Sequence, residues 1–382
     1  MKIALLTDGI YPYAIGGMQK HSFQLAKELA GNKCTVYLFH CNESSFDASK
    51  LEFFTEEERK YIKSFVIPFP HKTYFPLHYL YESHLYSKFI YEALTPHLPE
   101  IDFVFAQGFC AWELLKHKKE VKPPPILVHF HGLEMFQNIP SIKAKLTNIF
   151  LKPAVKKNIQ LADYTISFGG KITTMLQSIV PKEKIWEIPG SIDKLWLSEN
   201  TMPVKDAVRF VFVGRYERRK GLPELNKAIN TLSSSAKFSF EFIGDIPDSH
   251  KINSSSVKYH SKVTSEDKVK EILSNNDVLV CPSFAEGMPI VIMEAMAQSL
   301  AIIATDVGSV STLVNEQNGW LLKSPDPSAI SNAMLDAINN KESLSSKKEN
   351  SRKKIAKGFL TEQVTKNLLE KIEASKKILS SN

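Results

Sequence analysis

The chain is poor in cysteine and has no long apolar run. Its four cysteines stand at positions 34, 41, 110 and 281 of 382 residues. That is neither the density of a disulfide scaffold nor the spacing of a metal or redox motif, so they read as reduced thiols in or near a core. No apolar stretch approaches the ~18 residues that a membrane-spanning helix needs. The opening MKIALL reaches Thr7 and Asp8 too soon for the apolar region of a secretory leader, so a cytoplasmic location is expected. No G-x-G-x-x-G occurs, which argues against a nicotinamide dehydrogenase. Neither sign of charge dominates: 48 Lys and Arg against 41 Asp and Glu leave a net +7. That balance favours anionic partners in general and selects none, and no motif supports nucleic acid.

What is present is an ordinary globular composition, 43% hydrophobic and 23% charged, in a length that favours two domains. KIALLTD (2–8) reads as a strand, GIYPYAIGG as a loop, and MQKHSFQLAKELAGNKC as a helix ending at Gly31. TVYLFH (35–40) is the next strand. Strand, loop, helix, strand is the unit of a parallel sheet covered by helices on both faces. IDFVFAQ (101–107), PILVHFHG (125–132) and DYTISFG (163–169) continue the series. After a polar link bearing Pro and Gly it restarts with VRFVFVG (208–214), FSFEFIG (238–244), VKYHSKV (257–263), DVLVCPS (277–283) and LAIIATD (300–306). The expected organisation is a first α/β domain over 1–190, a link over 191–205, a second α/β domain over 206–358, and a terminal helix over 359–382 able to return to the first domain. KESLSSKKENSRKK (341–354) reads as a solvated basic connector.

Ligands of such sheets bind where loops leave the carboxyl ends of the strands. Three loops qualify. Gly16 and Gly17 precede the first helix and allow a close backbone approach, although a flexible connector would look the same. VGRYERRKG (213–221) follows a strand, and its Arg215 and Lys220 suit a diphosphate through planar donors and a point charge. Arg218 and Arg219 read as solvated charges. The third loop is FAEGMPIVIMEAMAQSL (284–300). Pro289 suits a first helical turn, the amides of Gly287, Met288 and Ile290 would face a ligand, and Glu286 can reach the same place. Glu286 and Glu294 are not spaced as a glycosidase pair. Eight helical steps put them roughly 12 Å and 80° apart, against carboxyl separations of ~5–9.5 Å. They read as two separate contacts on one elongated ligand.

With these motifs the sequence resembles a retaining glycosyltransferase of family 4, with the GT-B architecture of two facing Rossmann-like, doubly wound domains. Gly16-Gly17, VHFHGLE (128–134), ADYTISF (162–168), the VGRYERRKG loop, NNDVLVCPSFAEGMPIVIMEAMA and DVGSVSTLVNEQNGWLL (306–322) carry the resemblance over essentially the whole chain. It implies that Arg215 and Lys220 hold the donor diphosphate and stabilise it as the leaving group, and that Glu286 faces the donor sugar. It further implies that the amides of Gly287 to Ile290 bind sugar hydroxyls and phosphate, and that Glu294 takes the ribose hydroxyls. Gly17 would pass close to the diphosphate, His131 would line the site near the reacting sugar, and the base would lie against Lys262 and Val263. Where the family usually has asparagine and glycine before an isoleucine–aspartate pair, this chain reads PGSID (189–193). No D-x-D triplet occurs, which fits a transferase that neutralises the diphosphate with Arg and Lys, without a metal or other cofactor.

The implied reaction moves a sugar from a UDP- or GDP-linked donor to an acceptor hydroxyl with retention, in surface-glycan or lipid-linked saccharide assembly. A nucleotide-sugar epimerase of the same architecture would need acid–base groups at the sugar, and apart from His131 the sequence shows no cluster of them. A non-catalytic partner subunit would be expected to have lost one of Glu286, Arg215, Lys220 or Glu294. The acceptor is open between a soluble glycan and a lipid-linked one. The aromatic-rich stretch 68–91 and the basic amphipathic stretch 141–160 could dock at the inner face of an anionic membrane; a core-facing helix with a lysine-rich outer face fits the second equally well.

Overall fold

The computed structural model describes residues 1–14, 16–42, 47, 50–70, 78–199, 201–232 and 237–380. Part of the aromatic-rich stretch, 71–77, lies outside the described residues. The first sheet has seven parallel strands: β1 (Lys2–Leu6), β2 (Thr35–His40), β3 (Ile62–Val66), β4 (Phe103–Gln107), β5 (Ile126–His129), β6 (Tyr164–Ser167) and β7 (Ile185–Glu187), in the order β3-β2-β1-β4-β5-β6-β7. The second has six, also parallel: β8 (Val208–Val213), β9 (Phe238–Ile243), β10 (Val257–His260), β11 (Val278–Cys281), β12 (Ala301–Thr305) and β13 (Gly319–Leu322), in the order β10-β9-β8-β11-β12-β13. Central strands such as FVFAQ and AIIAT are buried at every position. Helices cover both faces, so these strands are apolar throughout instead of alternating. All four cysteines are buried, and none of them is in a disulfide.

Strand order reverses between β1 and β4 in one sheet and between β8 and β11 in the other. Such switch points open a crevice at the carboxyl ends of the strands. The loops after these four strands carry Gly17, Gly108, Arg215 and Glu286, and all four residues line one cleft between the domains.

The chain crosses between the domains twice at one place. Ile192 forms a parallel bridge to Leu360, with its N–H donating to the Phe359 carbonyl at 2.9 Å and its carbonyl accepting from Thr361 at 3.0 Å. The terminal helix Thr361–Ser380 then lies back on the first domain, where Val364, Leu368 and Ile372 join the core that holds Leu25 and Leu29. Lys376 ties it down through Asp102 at 2.7 Å.

Three strands, β3, β7 and β13, are not visible in the alternation of the sequence, being short and only partly buried. The larger correction concerns 341–354. The expected connector is the helix Lys341–Gly358, with Leu344, Lys348, Ser351 and Ile355 on its buried face. Lys348 is 1% exposed, and its Nζ is 2.6 Å from Asp277 Oδ1. Asp277 also receives Nε and Nη2 of Arg209, each at 2.9 Å. A fully buried carboxylate needs compensating charge, and that need draws one lysine of a basic run into the core.

Candidate active site

The cleft has a volume of about 1080 Å³. Its centre is built by one turn on another. Gly221 has φ +71, and a Cβ there would run into the carbonyl of Pro282. Glycine thus lets the β8 loop lie directly on the β11 loop, where Phe284 N–H donates to the Arg219 carbonyl at 2.7 Å. The contact delivers two cations to Glu286. Lys220 Nζ stands 2.6 Å from Oε1, Ser283 Oγ donates to the same oxygen at 2.7 Å, and Arg219 Nη1 is 3.4 Å from Oε2. Glu286 is 5% exposed. Burial would raise its pKa, but Lys220 and Arg219 outweigh that and hold the carboxyl below its ordinary range.

Arg219 is therefore not the solvated charge expected of it. Its guanidinium is largely buried and touches Glu286, the Ala285 carbonyl at 3.2 Å, Glu217 at 2.8 Å and, across the cleft, Glu134 at 3.4 Å. Arg218 does stay outside, forked onto Glu224 at 2.9 and 2.6 Å and lying over the Phe284 ring. Arg215 lines the cleft, but its side chain is 80% exposed and pairs with Glu217 at 3.0 Å. Lys220 is inside and Arg215 is at the rim.

From Glu286 the chain passes through Gly287, Met288 and Pro289 into the helix Ile290–Ala297, whose cap is Pro289 with no side-chain capping bond. Gly287 faces Gly132 of the first domain so closely that a Cβ on Gly287 would lie 2.8 Å from Gly132 Cα. Gln137 closes the same seam: its Nε2 donates to the Glu286 carbonyl at 2.6 Å and to the Gly132 carbonyl at 2.7 Å, and its Oε1 accepts from Glu286 N–H at 3.3 Å. Met288 lines the cleft, and its sulfur accepts from Gly190 N–H at 2.9 Å. Glu294, within that same helix, is pushed up to about 7 by burial, with Lys20 drawing it down and Glu266 pushing it further up. Lys20 reaches across the cleft to Glu266 at 2.8 Å.

Gly17, His131, Gly287, Met288, Ile290, Glu286, Glu294, Arg215 and Lys220 all line this cleft. Two expected positions do not. Gly16 caps the first helix in an extended conformation, against the Gln19 side chain. Val263 packs on the second-domain core, and its neighbours Thr264, Ser265 and Glu266 line the cleft instead.

His131 is not alone. Its ring lies 3.9 Å from that of His129 and 5.1 Å from that of His21, measured between centroids. Burial lowers all three pKa values, His21 to about 4, so the rings are neutral. Arg219, Gln137, His21 and His129 were not singled out by sequence reasoning. Only the H-x-H of VHFHG offered a signal, because residues two apart at a strand end face one side.

Models of two protein families together span most of the chain: Glycosyltransferase Family 4 over residues 15–194 and Glycosyl transferases group 1 over 198–354. The uncharacterized glycosyltransferase MJ1178 of Methanocaldococcus jannaschii is 29% identical over 350 residues, 90% of each chain. The putative teichuronic acid biosynthesis glycosyltransferase TuaC of Bacillus subtilis is 36% identical over 124 residues, a match spanning 32% of this chain and only 31% of that one. Among solved structures, sucrose-phosphate synthase from Thermosynechococcus elongatus superposes with a TM-score of 0.78 over all of both chains at 18% identity, a likeness of fold.

Proposed function

The chain belongs to glycosyltransferase family 4, and from that premise we propose that it moves a sugar, with retention, from a UDP- or GDP-linked donor to an acceptor hydroxyl of a growing surface glycan. One observation carries the reading. A buried glutamate, Glu286, is held ionised between Lys220 and Arg219 at the mouth of an uncapped helix, and the next residue, Gly287, faces Gly132 of the other domain. Glu286 and the amides beyond it suit sugar hydroxyls. Lys220, the helix end and Arg215 at the rim suit the diphosphate.

In the step itself the acceptor oxygen bonds to the anomeric carbon as the bond from that carbon to the phosphate oxygen breaks. The acceptor proton passes to a leaving phosphate oxygen on the same face. The protein lowers the barrier electrostatically, about tenfold in rate for each ~1.4 kcal/mol. Lys220 and Arg215 supply the charge that other transferases take from a metal. Glu294 accepts from the ribose, and the loop of Thr264 to Glu266 borders the base.

The acceptor is lipid-linked in this proposal. On the helix Ile142–Leu161, Ile142, Leu146, Ile149 and Phe150 form one stripe, each 53–79% exposed, with Lys143, Lys145 and Lys152 beside it; Val155 and Ile159 bury the far half. Leu151 of the same helix lines the cleft. Contact with an anionic membrane would bring the cleft mouth to the lipid head groups. No helix among the described residues is long and apolar enough to cross a membrane.

The deciding experiment offers UDP- and GDP-sugars with a diphosphate-lipid acceptor and reads the anomeric configuration of the product by NMR. An inverted product, or none with any donor, refutes the proposal. A second reading, the epimerase, draws on the three imidazoles near the sugar position. It requires donor isomerisation with no acceptor present.

A further inference from the structure

We propose that His21, His129 and His131 form a three-imidazole site for a first-row divalent cation of the zinc class, on the first-domain wall of the cleft. His129 ends β5, and His131, two residues on in a turn at φ +48, brings its ring to 3.9 Å from that of His129 between centroids. His21 reaches them from the first turns of the helix Gly17–Gly31. One nitrogen from each ring lies within 4.8 Å of the other two. Around a four-coordinate cation with metal–nitrogen bonds of ~2.0–2.1 Å, ligand nitrogens stand about 3.4 Å apart. Small side-chain rotations close the difference.

His129 supplies an independent reason. It is 1% exposed, and neither of its ring nitrogens has a hydrogen-bond partner among the described residues. A buried polar group left unpartnered costs about 1–3 kcal/mol, and a cation would relieve that cost.

Gln107 stands behind two of them. Its Oε1 is 2.7 Å from Nε2 of His131, and its Nε2 is 3.1 Å from Nδ1 of His21. With Nε2–H of His131 donating to Oε1, Nδ1 is left with a lone pair for the cation, an orienting arrangement common behind metal-bound histidines. For His21 to join through Nε2, its ring proton sits on Nδ1, and Gln107 turns its carbonyl oxygen, which has two lone pairs, to accept from both rings. All three histidines border the cleft, so a fourth position faces water or a ligand hydroxyl, as in sites that keep one position open. Lys220 and Arg219 belong to the opposite domain, and the proposal stands whether or not the transfer reading does.

The test uses the full chain, freed of metal by a chelator and dialysed, without donor. Titrating Co2+ should give ligand-field bands of a low-coordinate ion that saturate at one ion per chain and are displaced by Zn2+. His129→Ala and His21→Ala should lose the bands, and Gln107→Leu should weaken binding about 10–100-fold. His250→Ala, at an exposed position, should bind as the wild type does. Thermal melts in chelator identify any variant that fails to fold, and the remaining variants then decide the matter. No saturable binding by the wild type, or binding unchanged in every folded histidine variant of the cluster, overturns the proposal.

Discussion

Replacing Glu294 with glutamine should flatten the pH dependence of stability between pH 5 and 8. Burial lifts the Glu294 carboxyl from 4.5 to about 7. A carboxyl raised on folding favours the protonated form. Its stabilisation is full below pH 4.5, falls as the pH climbs towards about 7, and is gone above it. The interval between 4.5 and about 7 sets a ceiling of ~3 kcal/mol, at 1.36 kcal/mol per pKa unit. Glu294 borders the open cleft, so solvent screening should reduce this to ~1–2 kcal/mol. Glutamine has the same shape and does not titrate. The two proteins should melt together near pH 5, and by pH 8 the glutamine variant should melt a few degrees higher. Melting by dye fluorescence at fixed ionic strength across that range is sufficient. Parallel curves would refute the reasoning. The same carboxyl should make wild-type donor affinity climb up to about pH 7 and then level, because ribose hydroxyls donate best to the ionised form; the variant should bind more weakly and without that slope.

Lys348→Met leaves Asp277 buried with Arg209 as its one remaining cation, and should cost ~3 kcal/mol, the lower end for breaking a buried pair; an unchanged denaturation midpoint would show the lysine to be dispensable. Gln137→Ala removes the bonds that join the domains at Glu286. At ~0.5–1.5 kcal/mol each, two such bonds correspond to roughly tenfold in the closing equilibrium, visible as a larger radius of gyration in solution scattering, and an identical radius would argue that the seam closes without them. Leu146→Glu with Ile149→Glu should abolish sedimentation with anionic vesicles while leaving donor binding intact; retained sedimentation would exclude this helix as the membrane contact. Arg219→Ala should depress transfer more than Arg218→Ala does, by at least tenfold, and equal rates would return Arg219 to the class of solvated charges.

The sheets were legible because a parallel strand covered on both faces must be apolar along its length, and FVFAQ, ILVH and AIIAT announce themselves that way. Edge strands such as IKSFV and GWLL, half in water, do not. The glutamate turn was legible for a similar local reason: E-G-M-P before an apolar helical run is an amide-bearing turn at a helix start wherever it occurs. The terminal helix was legible as a helix from its composition, but composition left open where it packs, and the first domain was only one of the places it could go.

What local pattern could not distinguish was one arginine of a pair. Arg218 and Arg219 have the same composition, the same neighbours and the same loop, yet one forks onto Glu224 outside and the other reaches Glu286 and Glu134 inside. The difference is made by Gly221, whose left-handed turn presses the loop onto the β11 turn some 60 residues later in the chain. Lys348 repeats the lesson. Nothing in SSKKENSRKK marks one lysine for the core; the cause is Asp277, a carboxylate fixed at the start of β11 that Arg209 alone does not neutralise. The histidines repeat it again, since His21 meets H-x-H only because β1 and β5 both flank β4. In each case a charged or polar side chain takes its role from a partner set by sheet order. Motifs reveal the residues whose chemistry is completed by their own backbone, and topology decides the rest.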